Sequence, residues 1–307
     1  MNLRKLNCLH ALPKLKTNMP MKTGAAIAVR WFAFALIPGP LVAAAQDKPL
    51  WELGAGAAFI SFADYRGSDK QRSYLLPLPY FIYRGEFLQV DRDKMRGLFF
   101  KTERVELELS ANGTVPVRSR DNGARQGMPD LDPTLEIGPS LNVLLASTPQ
   151  RYRLTLKLPV RAVIASDFRR VQGQGILSQP QLNLDVTLAN GWQLGLAGGP
   201  LFADRRYHQY FYGVDPVYAT AARPAYRARG GYSGLQLVAA ASRRFDQLWV
   251  GGFVKYDDLS QAVFANSPLF ERRNNISAGI AVAWIFAQSR QRVSTNGSTS
   301  KPAATNE

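Results

Sequence analysis

His208 is the residue best suited to proton transfer, since His10 falls in a leader-like N-terminal stretch and the 307-residue chain has no third histidine. It sits in the aromatic run Arg205-Arg206-Tyr207-His208-Gln209-Tyr210-Phe211-Tyr212. A hydrolase would need it beside a serine and a third, orienting group. The sequence sets no serine near it, so loop packing or ligand contact is expected instead of catalysis. Asp64 and Asp69 share one loop and could touch a hard cation, but two carboxylates make an incomplete ligand set. Zinc-spaced clusters, phosphate-cradling glycine loops and nucleophile elbows are absent. The lone cysteine, Cys8, lies in the leader, which leaves the remainder without thiol, disulfide or cysteine metal site. The expectation is a non-enzyme with no catalytic, cofactor-binding or metal-binding residues and no cofactor.

A second constellation is ionic. Glu106, Glu108 and Glu136 are followed by Arg153, Lys157 and Arg161, and then by Gln179, Gln181, Asn183 and Asp185. All lie in runs where polar and apolar residues alternate. Val105-Glu106-Leu107-Glu108-Leu109 and Tyr152-Arg153-Leu154-Thr155-Leu156-Lys157-Leu158 have the period of two that sends side chains to opposite faces of a strand. One face of each strand is therefore apolar and the other charged. A sheet with charged groups on its inner face can fill its own interior with ion pairs, or it can line a narrow, charge-selective pore.

The elements that must position these groups are strands throughout. Alternating runs fall near 51–60, 73–83, 86–92, 97–101, 104–115, 133–146, 151–165, 176–188, 192–203, 232–245, 248–259 and 274–286. Their connectors alternate in length. Tyr83–Glu86, Lys101–Arg104, Ser147–Gln150, Ala189–Gly191 and Phe245–Gln247 are tight and carry turn residues. Ser61–Arg72, Arg118–Leu131, Asp167–Gly175, Asp204–Gly231 and Ser260–Arg273 are long, with Asp93–Arg96 the short exception. This rhythm predicts an all-β fold: a transmembrane, antiparallel, up-and-down β-barrel of about 12 strands. Lipid offers backbone groups no partner, so a sheet crosses a bilayer only when closed. Short turns would face the periplasm and long loops the exterior. Trp51, Trp192, Trp249 and Trp284 all fall at the short-turn end and are expected to form one interfacial girdle.

Residues 1–45 carry Arg4, Lys5, Lys14, Lys16, Lys22 and Arg30 with no acid, then the apolar run Trp31–Val42 and Ala43-Ala44-Ala45. That is the pattern of a signal peptide cut after Ala45, with Met19 and Met21 as alternative starts. The barrel is expected over 46–286. Residues 287–307, rich in Ser, Thr, Ala, Asn and Gln, are expected to form a disordered periplasmic tail. Cleavage would lower the net charge from +15 but leave it positive. The predicted outer loops hold Arg66, Lys70, Arg72, Arg118, Arg120, Arg125, Arg169, Arg170, Arg205, Arg206, Arg223, Arg227, Arg229, Arg272 and Arg273. Such cations suit the phosphates of outer-membrane lipid, including lipopolysaccharide, or simply a solvated rim. Nucleic acid is not an expected partner of an exported barrel.

The block Gly54-x-Gly56, Asp64-Tyr65-Arg66-Gly67-Ser68-Asp69 and Leu76-Pro77-Leu78-Pro79-Tyr80-Phe81-x-Tyr83-Arg84-Gly85 resembles the MipA/OmpV family of MltA-interacting outer-membrane proteins. Phe211-Tyr212-Gly213-Val214, Tyr256-x-x-Leu259, Ser267-Pro268 and the closing Ala283-Trp284-Ile285-Phe286 agree with it. The resemblance implies an outer-membrane barrel located in the cell outer membrane. In some members it is a scaffold joining a lytic transglycosylase to a murein synthase; others are linked to osmotic or antibiotic response. No catalytic residue is implied. The expected function is thus a docking scaffold for periplasmic peptidoglycan-remodelling enzymes; the alternative is a small pore or transporter passing solutes through a charge-lined lumen. Members commonly stop at the terminal aromatic, so the tail beyond Phe286 is a departure. Pro77 and Pro79 each remove a backbone donor at one alternation phase, which predicts a bulge or break in the ladder around them.

Overall fold

A computed structural model of the chain describes residues 47–84, 88–91, 94–149, 151–167 and 170–294. The signal-peptide expectation for 1–45, the rim residue Arg169 and the final stretch of the predicted tail lie outside the described residues. Strands run β1 (Asp47–Pro49), β2 (Trp51–Ala63), β3 (Gln71–Arg84), β4 (Leu88–Asp91), β5 (Lys94–Lys101), β6 (Val105–Thr114), β7 (Thr134–Thr148) and β8 (Tyr152–Ser166). They continue as β9 (Val171–Ser178), β10 (Gln181–Thr187), β11 (Gln193–Ala203), β12 (Gly231–Phe245), β13 (Leu248–Asp258), β14 (Asn274–Gln288) and β15 (Arg292–Ser294). One α-helix, α1 (Arg205–Tyr212), lies in the longest connector.

The alternating runs pair antiparallel with their sequence neighbours, and β14 returns to pair with β2, from Ala278↔Ser61 to Gln288↔Glu52. β9 and β10 both pair with β8 on one side and with β11 on the other, so together they occupy one position and the circuit has the expected twelve. Closure follows from the pattern: an edge left in hydrocarbon would strand its N–H and C=O groups. Outward residues form an apolar band that includes Phe59, Leu196, Val254 and Ile280. No helix among the described residues is long and apolar enough to cross a membrane, and the crossing is made by strands.

Gly54 and Gly56 explain one sequence motif. A β-carbon on either would collide with the carbonyl oxygen of Trp284 or Val282 on β14, so the two strands that close the barrel approach too closely for a side chain there. The tight connectors are turns as expected, with Gly191 at φ +85° and Asp246 at φ +49° supplying left-handed residues. Part of the turn at 83–86 lies outside the described residues.

Three expectations need correction, and one, for the prolines, is sharpened. The run predicted at 176–188 begins at Val171 and breaks at Gln179-Pro180, so the predicted loop Asp167–Gly175 is mostly strand. Its Gln-Gly-Gln-Gly composition hid the strand, and Gly175, at φ +103°, lies beside a register shift opposite Val163/Ile164. Pro77 and Pro79 make no bulge toward β2, where the register is unbroken from Trp51↔Tyr83 to Ala63↔Gln71. An unbroken ladder puts both prolines at non-hydrogen-bonded pairs, with their missing donors on the opposite edge. There, among the described residues, the ladder does stop: β3 pairs with β4 at Tyr83 and Arg84 alone. Next, Trp249 does not join the girdle. It points inward, 8% exposed, and packs with Tyr80, Ile82, Ala283 and Ile285. Trp284 is outward and 58% exposed, so alternation phase separates two tryptophans at the same height. Finally, the tail does not begin at 287. β14 runs to Gln288, and β15 pairs with β1 through Asp47↔Ser294, Lys48↔Val293 and Pro49↔Arg292.

Candidate functional site

At the long-loop end, folded connectors pack together over the lumen. Residues 204–230 carry α1, whose Asp204 side chain accepts a hydrogen bond from the Tyr207 backbone N–H at 2.9 Å, a side-chain N-cap. Tyr207, His208, Phe211 and Tyr212 are buried in a cluster with Tyr65, Val117, Leu131, Leu259 and Phe264 from three other connectors. Tyr212 stacks on Phe264 with ring centroids 3.6 Å apart. Polar stitches hold the layers: Tyr65 donates to the Leu269 carbonyl at 2.8 Å, Tyr212 to the Arg66 carbonyl at 2.8 Å, and Ser267 to the Tyr212 carbonyl at 2.7 Å. Burial pushes the phenols of Tyr65 and Tyr212 above their ordinary range, so both remain protonated donors.

The rim cations divide into two groups. Arg125, only 3% exposed, donates to Ser119 Oγ and to the carbonyls of Phe211 and Pro129. Arg223 donates to the carbonyls of Ala124, Gln126 and Tyr218. Arg72 pairs with Asp64, and Arg66 with Asp257 at 3.0 Å. These are internal fasteners, whereas Arg118, Arg120, Arg205, Arg206, Arg272 and Arg273 are exposed. Asp64 is engaged by Arg72 and by Asn122 Nδ2 at 2.9 Å, and no group of three metal-ligating side chains occurs among the described residues.

Folding brings to His208 a serine that the sequence alone does not place near it. Ser233 Oγ lies 2.5 Å from His208 Nε2, and the Arg229 carbonyl lies 2.5 Å from Nδ1. The serine is 25 positions away in sequence, on β12, and folding alone brings it there. Base and hydroxyl have hydrogen-bond geometry, but both residues are 0% exposed and the third group is a backbone carbonyl. The pair fastens α1 to the barrel wall. Burial lowers the His208 pKa below 6.5, opposed by the Arg229 carbonyl and reinforced by the Arg66 charge. The folded state therefore favours neutral imidazole. Its stabilisation is full above about pH 6.5, the unfolded value, and declines as pH falls toward the lower folded value. Proteolysis of the 204–230 connector is expected to be faster at pH 5 than at pH 7.5, with the difference reduced in His208→Gln.

Below the cap, the predicted lumen charges are brought together. Glu106 meets Arg153 at 3.3 Å and Glu108 meets Lys157 at 4.0 Å, reaching across β7, which contributes the small polar Ser140 and Asn142 between them. Glu136 meets Arg161 at 3.5 Å, and Lys255 meets Asp257 at 3.8 Å. Gln179 is buried and bonds Gln236 at 2.9 Å, while Gln181 and Asn183 are half-buried. Asp185 is exposed near the short turns. A cavity of about 480 Å³ remains beneath the cap, bounded by Phe62, Asn112, Glu136, Tyr207 and Asp257 among others. At the short-turn end, Glu52 accepts from Arg244 at 2.6 Å beside the Tyr80–Trp249 cluster.

A sheet closed on itself, apolar outside, polar within and capped on the side of its long connectors, defines a transmembrane β-barrel of the bacterial outer-membrane kind. Residues 53–286 match the family described as MltA-interacting protein MipA, and the chain belongs to that family of the Gram-negative outer membrane. Similar solved structures include a bacterial polysaccharide outer membrane secretin, at 8% identity, covering 77% of this chain and 99% of that one with a TM-score of 0.41. The NanC porin matches at 7% identity over 76% of this chain and 98% of its own, TM-score 0.37. Outer membrane phospholipase A from Escherichia coli matches at 9% identity over 75% and 92%, TM-score 0.31. No curated protein matches the sequence.

Proposed function

We propose that this barrel is a non-enzymatic docking scaffold for periplasmic peptidoglycan-remodelling enzymes, with a lytic transglycosylase as its first partner and a murein synthase as a second. The family's description as MltA-interacting carries the reading. The cap supports it: the outer mouth is filled by an apolar cluster, the lumen charges are paired with one another, and the His208–Ser233 pair is sealed from substrate. Partner contact then falls to the short-turn end, where Arg104, Arg151 and Asp246 are exposed in the tight turns and Arg290 just before β15. At the opposite rim the exposed arginines suit lipopolysaccharide phosphates. Immobilised, detergent-solubilised protein is expected to retain the lytic transglycosylase from a total envelope extract. Lengthening the Ala189–Gly191 and Phe245–Gln247 turns with flexible inserts should release it. Failure to retain any murein hydrolase or synthase overturns the reading.

A further inference from the structure

The lipid-facing wall carries almost no charge, and Arg243 is the exception. Register and alternation fix the outward row of β12 as Leu237, Ala239, Ala241, Arg243 and Phe245, running between the outward rows of β11 and β13. Among the described side chains of β2, β3 and β6–β14, charged residues occur on outward rows at two places. One is Asp258, at the long-loop end of β13; the other is Arg243, two residues before β12 ends at the short-turn side. A cation on this face is costly unless its head reaches the interface and meets an anion.

Arg243 does reach the interface. Its guanidinium lies 4.5 Å over the outward Phe245 ring, and Phe245, Leu248 and Trp284 are successive partners in one rung across three strands. The Trp284 indole N–H donates to Gln247 Oε1 at 3.1 Å, which marks this rung as the polar boundary. The anion is missing from the protein. Among the described residues no carboxylate or carbonyl accepts from Arg243, and its Nε is buried without a partner.

Toward the long loops the same rows form a furrow. Ala241 and Ala239 continue the row of Arg243, Gly252 pairs with Ala241, and Gly198 pairs with Leu237. A β-carbon on Gly198 would collide with Leu237 Cδ2, so the glycine lets that side chain lie low. Above Ala241 the furrow opens into a hollow of about 620 Å³ bounded by Leu182, Leu196, Gly198, Leu237, Ala239 and Val254 among others. Phe245 to Leu237 is about 26 Å of strand, or about 20 Å of depth at a tilt near 40°. That is one leaflet with its headgroups, half of a bilayer about 40–45 Å thick.

We propose that this face binds one glycerophospholipid of the leaflet at the short-turn end, with its phosphate on Arg243 and an acyl chain along Ala241 and Ala239 into the hollow. The phosphodiester supplies the acceptor that the guanidinium lacks. A second copy of this chain fits the face less well, because no outward acidic group among the described residues lies at the height of Arg243. The inference is independent of the scaffold reading.

The test is native mass spectrometry of the delipidated, detergent-solubilised barrel titrated with dipalmitoylphosphatidylglycerol. One lipid is expected to remain bound per barrel, and dipalmitoylglycerol, with the same chains and no phosphate, should bind far more weakly. Arg243→Gln should weaken phosphatidylglycerol binding about tenfold, a change of about 1.4 kcal/mol, with Arg243→Lys intermediate. Ala239→Phe, which fills the hollow and leaves the cation in place, should also weaken it. Unchanged heat-modifiable migration on a gel checks that each variant is folded. Equal binding by Arg243→Gln and wild type, or by dipalmitoylglycerol and the phospholipid, overturns the proposal. So does displacement of the lipid by excess inorganic phosphate, which would mark a site for a free anion, or a lipid-free dimer that Ala239→Phe dissociates.

Discussion

Gly56→Val is expected to prevent formation of the closed barrel. Gly56 pairs with Ala283 across the junction of β2 and β14, and a β-carbon there would meet the Val282 carbonyl oxygen and the backbone of Ala283. Those atoms belong to a ladder on both sides, so neither can yield as the tip of a flexible side chain would. The strain falls on the pairing that joins the first and last crossings of the sheet. A loss of more than about 4 kcal/mol is expected, the range reserved for core overpacking and backbone conflict. The readout is heat-modifiable migration on a gel after refolding into detergent: wild type should show the compact folded band and Gly56→Val almost none. Gly123→Ala, where an added β-carbon has nothing within 4 Å, should fold like wild type.

Arg125→Met should open the outer end while leaving the barrel intact. Arg125 is buried in the cap, 6.0 Å over the Tyr65 ring, and donates to three acceptors on two connectors. Methionine keeps much of the volume but leaves the Phe211 and Pro129 carbonyls and the Ser119 hydroxyl without that donor. Losing buried hydrogen bonds to a charged group costs about 1.5–3 kcal/mol apiece, with repair by water entering the cap reducing the total. The expected result is rapid cleavage within 204–230 by added protease, with unchanged heat-modifiability. In planar bilayers discrete current steps should be more frequent in the variant than in wild type. Equal conductance in both would mean that the cap does not obstruct ion flow.

Much of this architecture is legible because a barrel writes its period into every crossing. Val105–Leu109 and Tyr152–Leu158 show by alternation which side chains share one face, and the Glu and Arg/Lys sets on that face do meet. What the pattern misses depends on information outside a single strand. Trp249 and Trp284 are alike in type and height, and only phase decides that one is core and the other faces outward. Val171–Gly175 lacks the bulk that marks a strand, so it reads as loop. The partners of His208 arrive from β12 and from the connector before it, and no spacing rule links them. The rim arginines look uniform in sequence, yet Arg125 is internal and Arg206 exposed, a distinction set by how four connectors fold over one another. Pro77 and Pro79 were legible as a defect, but which edge they spoil follows only from the register with β2.

The β2–β14 junction also sets an order of assembly. Its strands come from nearly opposite ends of the chain, so within the barrel sheet the pairing with the greatest sequence separation is the one that joins the first crossing to the last. Until β14 arrives, β2 presents an open edge whose glycines make it narrow and readily approached, a template for a wrong strand from another molecule. Chaperoning before insertion should therefore matter most for the N-terminal edge. The slowest step of folding should be the meeting of the first and last crossings, after every local hairpin has already formed.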